Sequence, residues 1–79
     1  MDQQNISLLQ LPTNKKARIT SIIGGHGFQR KLQVLGIRKG QEITIVSKQP
    51  FTGPLTISVG RCKMTIGRGM AQKIMVEIL

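Results

Sequence analysis

From Leu55 to Ile78 apolar side chains return at every second position within each run: Leu55, Ile57 and Val59, then Cys62, Met64 and Ile66, then Ile74, Val76 and Ile78. A period of two belongs to β-strands with one face on a core; wound as a helix, the same residues would scatter around the axis. Gly60-Arg61 has the glycine-first form of a two-residue hairpin turn. Gly67-Arg68-Gly69 ends the next strand, and Met70 to Lys73 has room for one helical turn before a last strand, Ile74 to Ile78. A chain patterned this way is expected to be mainly β.

The first half repeats the theme with one interruption. Ile6 to Leu11 is an apolar lead-in, with Ser7 placed to cap one helical turn and Pro12 to stop it. Thr13-Asn14 reads as a turn, because asparagine tolerates left-handed backbone. Ala17 to Ile23 is rich in β-branched residues and reads as a strand, and its alternation slips between Ile19 and Ile22, the mark of a bulge. Glycines at 24, 25 and 27 break it. Phe28, Leu32 and Leu35 then follow at helical spacing, which predicts a helix over residues 27–35. Gly36 stands where a left-handed C′ residue belongs, and Ile37 can fold back onto Leu32. Arg38-Lys39-Gly40 turns the chain into a strand from Glu42 to Lys48, and Pro50 to Pro54 is too proline-rich for a central strand. The sum is a small, five-stranded, mostly antiparallel barrel in one domain, residues 1–79. It has one inserted α-helix and a short terminal helical turn. Its expected core is Leu32, Leu35, Ile43, Ile45, Leu55, Ile57, Val59, Ile74 and Val76, with Cys62, Met64 and Ile66 also facing inward. Full closure would remove exposed sheet edges.

At 79 residues the chain has little room for both a packed core and a deep catalytic pocket. One cysteine, Cys62, forms no internal disulfide. No apolar run approaches the ~18 residues that suggest a membrane span, and the start lacks a signal-peptide pattern, so a cytoplasmic protein is expected. Twelve Lys and Arg face Asp2, Glu42 and Glu77 alone, a net charge of +9. Such a field attracts anionic partners: an acidic protein face, nucleic acid or an anionic membrane.

Specific chemistry is sparse. The glycines before the helix resemble a phosphate-cradling loop, but they match neither GxGxxG nor the Walker pattern with its lysine and hydroxyl. His26 and Cys62 are the sole imidazole and thiol, too few for a zinc-type site with three or four ligands. Neither a metal site within one chain nor a cofactor is expected; an ion on His26 or Cys62 would have to be shared between chains. No nucleophile–base pair is in view, so the chain is not expected to be an enzyme. Single-strand nucleic-acid binding by a small basic barrel uses aromatic platforms, and Phe28 and Phe51 are the only aromatics. That reading stays as the alternative, through phosphate contacts.

Taken in order, Gly24-Gly25-x-Gly27, Arg30-Lys31-Leu32-x-x-Leu35-Gly36-Ile37-x-x-Gly40, Pro50-x-x-Gly53-Pro54-Leu55-x-Ile57-x-Val59-Gly60 and Arg68-x-x-Ala71-x-x-Ile74-x-Val76 resemble the pattern of the FeoA family over residues 7–78. Asn14 stands where many members have glycine, and Gly67 and Gly69 where a leucine and an acidic residue are frequent. The resemblance implies an SH3-like barrel and a non-enzymatic accessory role in ferrous-iron uptake. It also implies a partner, the cytoplasmic domain of a FeoB-type transporter, through which alone the chain would meet a membrane; nucleic acid is not implied. The fold implied is shared with the C-terminal domain of DtxR-type repressors, but no DNA-reading helix-turn-helix is present here. On this reading the docking residues are Arg30 and Lys31 on the helix, with Gly53, Pro54 and Leu55 in the later loop.

Overall fold

The structure is a computed structural model describing residues 5–49 and 53–79; Pro50, Phe51 and Thr52 of the expected rigid loop lie outside the described residues. In chain order it contains β1 (Asn5–Ser7), a 3-10 turn (Leu8–Gln10), β2 (Lys16–Ile22), α1 (His26–Val34), β3 (Glu42–Lys48), β4 (Leu55–Val59), β5 (Cys62–Ile66), α2 (Arg68–Gln72) and β6 (Ile74–Ile78). The strands form one antiparallel sheet in the order β1-β6-β2-β3-β4-β5. This is the SH3-like barrel expected from the sequence, with six strands rather than five. The extra one is β1, whose Ile6 pairs with Val76. The helical turn expected after Ser7 is present as the 3-10 turn, with the Gln10 side chain accepting a hydrogen bond from the Ser7 amide at 3.3 Å.

Two bulges bend the sheet. The β2–β6 register shifts between Ile19 and Ser21, where the alternation slips in the sequence. Thr20 is the residue left over, and its hydroxyl donates to the Met75 carbonyl at 3.2 Å. The β3–β4 register shifts between Ile45 and Ser47, and Val46 is turned outward. Extra residues of this kind raise local twist, which lets a short sheet curl around its own core. Among the described residues no ladder joins β1 to β5. The curl is instead closed by packing: α2, which follows β5, lies against the 3-10 turn that follows β1. The Lys48 ammonium donates to the Leu9 carbonyl across the same seam at 2.9 Å.

Eight of the nine expected core residues are buried, joined by Leu8, Leu11, Ile19, Ile37, Ile66 and Ala71 among others. Leu35 is the exception, at 42% exposed. Gly36 has φ +91°, so the chain reverses there. The Ile37 amide then donates to the Leu32 carbonyl and the Gly36 amide to that of Gln33, both at 2.9 Å. This double closure is the Schellman motif, and it carries Ile37 rather than Leu35 against Leu32. Cys62 is also exposed rather than inward. It opens an edge strand beside the hairpin turn, where β5 has a neighbour on one side only among the described residues. Asn14 does take the left-handed conformation, at φ 69°.

Candidate partner-binding groove beside helix α1

Helix α1 bridges the end of β2 and the start of β3. The register puts Arg18 of β2 opposite Glu42 of β3, and Lys16 opposite Thr44. The helix therefore leaves from the Ile22 end of this ladder, whereas β3 runs on to Lys48 past the other end. The expected docking residues divide between elements. Arg30 and Lys31 are exposed on α1, whereas Gly53 and Pro54 come just before β4. Leu55 is fully buried and pairs with Lys48 and Ile66, so it offers a partner no surface.

What the structure gathers around α1 is a different set. A groove of about 350 Å³ lies between the helix and the turn that follows it. Gln29 and Gln33, one helical turn apart, line one wall; Arg38 and Lys39 line the other; Ser21, Ile22 and Ile37 supply the rest. A hollow of about 320 Å³ on the other side of the same glutamines reaches His26 and Arg30.

Both walls are tied down. The Gln29 side-chain amide donates to the carbonyls of Ile22 at 3.3 Å and Gly24 at 3.0 Å, which fixes the start of α1 against the end of β2. On the opposite side, the Arg38 amide donates to Oε1 of Gln41 at 2.8 Å. The Gly40 amide donates to the Ile19 carbonyl at 2.8 Å, and the Ile19 amide to the Gln41 carbonyl at 2.9 Å. A wall held by backbone bonds loses little freedom when a ligand arrives.

The charges are sorted by the sheet. Arg18 pairs in register with Glu42 on one side and Glu77 on the other, and its guanidinium lies 4.0 Å from the Glu42 carboxylate. Both described carboxylates thus flank one arginine on the strands. No carboxylate lines the groove or the hollow, while Arg30, Arg38 and Lys39 do. Among the described residues His, Cys, Asp and Glu nowhere gather in threes. His26 and Cys62 are both exposed, on α1 and β5. Phe28, the one described aromatic, is half-buried, with the Lys73 ammonium 5.0 Å from its ring centroid.

Gln29, Gln33, Arg38 and Lys39 carry no motif of their own. Their signal was the basic turn straight after the helix, together with two amides at i and i+4.

Residues 6–78 match the FeoA domain family. The chain belongs to that family. A Methanocaldococcus jannaschii protein, provisionally described as Fe(2+) transport protein A, is 37% identical over 59 residues, 75% of this chain and 70% of the relative. The crystal structure of an iron uptake regulatory protein (FeoA) superposes with a TM-score of 0.88 at 33% identity, covering 96% of this chain and all of the other. A manganese-dependent transcriptional repressor gives 0.89 at 16% identity, with this chain spanning 44% of it. That likeness is one of fold. This member of the FeoA family is thus built on the SH3-like barrel, and no helix among its described residues is long and apolar enough to cross a membrane.

Proposed function

We propose that this chain is a non-enzymatic cytoplasmic accessory of ferrous-iron uptake that docks on the cytoplasmic part of a FeoB-type transporter through the surface of α1. The observation that carries the reading is the sorting of charge. Arg38 and Lys39 line the groove and Arg30 the hollow beside it, with no carboxylate in either lining; Lys31 is exposed on the same helix, and the described carboxylates sit beside Arg18 on the sheet. Such a surface steers an acidic partner face into register and speeds its arrival. Gly53 and Pro54, just before β4, would be a second, separate contact; Leu55 is buried in the core.

The test is capture of the partner's soluble cytoplasmic part by the tagged chain, with paired charge reversals. Arg30→Glu with Lys31→Glu should abolish capture and impair growth under iron limitation. Lys15→Glu with Lys16→Glu, equal in charge but at the other end of the β2–β3 ladder, should leave both largely intact. If the unaltered chain captured nothing, and both doubles lost oligonucleotide binding equally with no growth defect in either, the chain would be a general phosphate binder and the docking reading would fall.

A further inference from the structure

We infer that the groove between α1 and the Arg38–Gln41 turn takes an extended acidic peptide, gripping backbone with the two glutamines and carboxylates with Arg38 and Lys39. Placing that peptide in the transporter rests on the docking reading above; the chemistry of the groove stands on its own lining.

Three features of the lining single out peptide. Gln29 and Gln33 present side-chain amides one turn apart, and an amide both donates and accepts, as a peptide group does. Gln29 already spends its donors on Ile22 and Gly24, which leaves its oxygen to accept, whereas Gln33 forms no side-chain hydrogen bond among the described residues. An extended strand passing along the helix would meet one acceptor and one complete amide. Across the groove, Arg38 and Lys39 are exposed cations on a turn fastened through Gly40 and Gln41, so they oppose the amides at a fixed spacing. Between them half-buried Ile22, with the core residue Ile37 beneath it, gives apolar surface for the stem of a side chain whose head is anionic. Glutamate has that form.

The same lining fits other anions less well. Nucleic-acid strands gain much of their grip from bases stacked on aromatic rings. No aromatic lines this groove, and Phe28 is covered by Lys73. A lipid surface is flat or convex and prefers cations around a projecting apolar patch. Here the apolar residues are recessed and the cations stand at the rim.

The probe is a short peptide alternating Glu and Ala, titrated into the isotopically labelled chain and followed by NMR, with a Gln-for-Glu version as the neutral control. Shifts should concentrate on the side-chain amides of Gln29 and Gln33 and the backbone of Arg38 and Lys39, and the neutral peptide should bind about tenfold more weakly or worse. Arg38→Glu with Lys39→Glu should cost at least about tenfold in affinity, and the charge-matched pair Lys15→Glu with Lys63→Glu about threefold at most. Gln33→Ala, which leaves the charge unchanged, should weaken binding without altering its salt dependence. Shifts spread over the whole basic surface, equal losses in both double variants, or stronger perturbation of the groove by polyphosphate or phosphatidylglycerol vesicles would overturn the inference. Capture of the transporter's cytoplasmic part that survives Arg38→Glu with Lys39→Glu, with no peptide binding, would sink the groove and spare the docking reading. Peptide binding in the groove without capture would support the groove and sink the docking reading.

Discussion

The amide of Ile37 donates to the carbonyl of Leu32 at 2.9 Å, and both side chains are completely buried. This one relationship ends α1, seals it on the core and aims the chain into the Arg38–Gln41 wall of the groove. It depends on Gly36, whose φ of +91° is costly for any residue with a Cβ. Open space surrounds that position, so the cost of a side chain there is conformational rather than steric. Gly36→Ala should therefore destabilise the chain by about 1 kcal/mol. Leu32→Ala, which empties a packed site, should cost ~2–5 kcal/mol. Urea melts of both variants would measure the pair; a Gly36→Ala cost as large as that of Leu32→Ala would contradict the conformational account.

Gly24 and Gly25 stand side by side and should respond differently. A Cβ on Gly24 would sit 2.8 Å from Cδ2 of Phe28, on a backbone with φ +147°. Gly25 precedes α1 with ordinary extended geometry and nothing within 4 Å of a built Cβ. Gly24→Ala is expected to lower the melting temperature clearly and to displace Phe28 from beneath Lys73, whereas Gly25→Ala should change little. Calorimetry of the two, with the Phe28 ring signals as a local probe, separates them. Equal effects would mean that the close approach of Phe28 is not what Gly24 accommodates.

The seam between the 3-10 turn and β3 rests on the bond from Lys48 to the Leu9 carbonyl, part-buried at 2.9 Å. Hydrogen bonds from a charged donor contribute ~1.5–3 kcal/mol, and exposure places this one at the low end. Lys48→Met keeps the stem and removes the donor. It should cost about 1.5 kcal/mol and speed amide exchange in residues 8–11 more than in β4. Unchanged exchange in the turn would show that α2 alone holds the seam.

Much of this fold was legible because its periods are clean. Ile43 and Ile45, then Leu55, Ile57 and Val59, then Ile74 and Val76 recur at every second position, and each is buried. The slip at Ile19 to Ile22 located a bulge before any register was known. What misled was the helical period carried one residue too far. Phe28, Leu32 and Leu35 share a helical face only while the helix continues, and the reversal at Gly36 hands the third place to Ile37. Strand β1 was hidden for another reason. Three residues carry no period, and only pairing with β6 makes Asn5–Ser7 a strand. The groove was the least legible part. Its walls come from residues 29–33 and 38–39, and what holds them in place is a set of backbone bonds to β2 that composition does not encode.

The last prediction concerns how docking, as proposed, responds to salt. Exposed charges more than ~10 Å apart are largely screened at 0.1 M ionic strength, while close pairs in a formed interface feel salt less. Association with the transporter's cytoplasmic part should slow steeply as salt rises, and dissociation should change little. Arg30 and Lys31 sit at the proposed docking surface and Lys15 and Lys16 at the far end of the β2–β3 ladder, although both pairs contribute equally to the net charge of +9. Neutralising Arg30 and Lys31 to Gln should lower the association rate and flatten its salt dependence; neutralising Lys15 and Lys16 should do so only slightly. Stopped-flow measurements across a salt series would compare them directly. Were the two neutralised variants to lose the same slope, net charge rather than the α1 surface would be steering the encounter, and the position of the site would have to be sought elsewhere on the barrel.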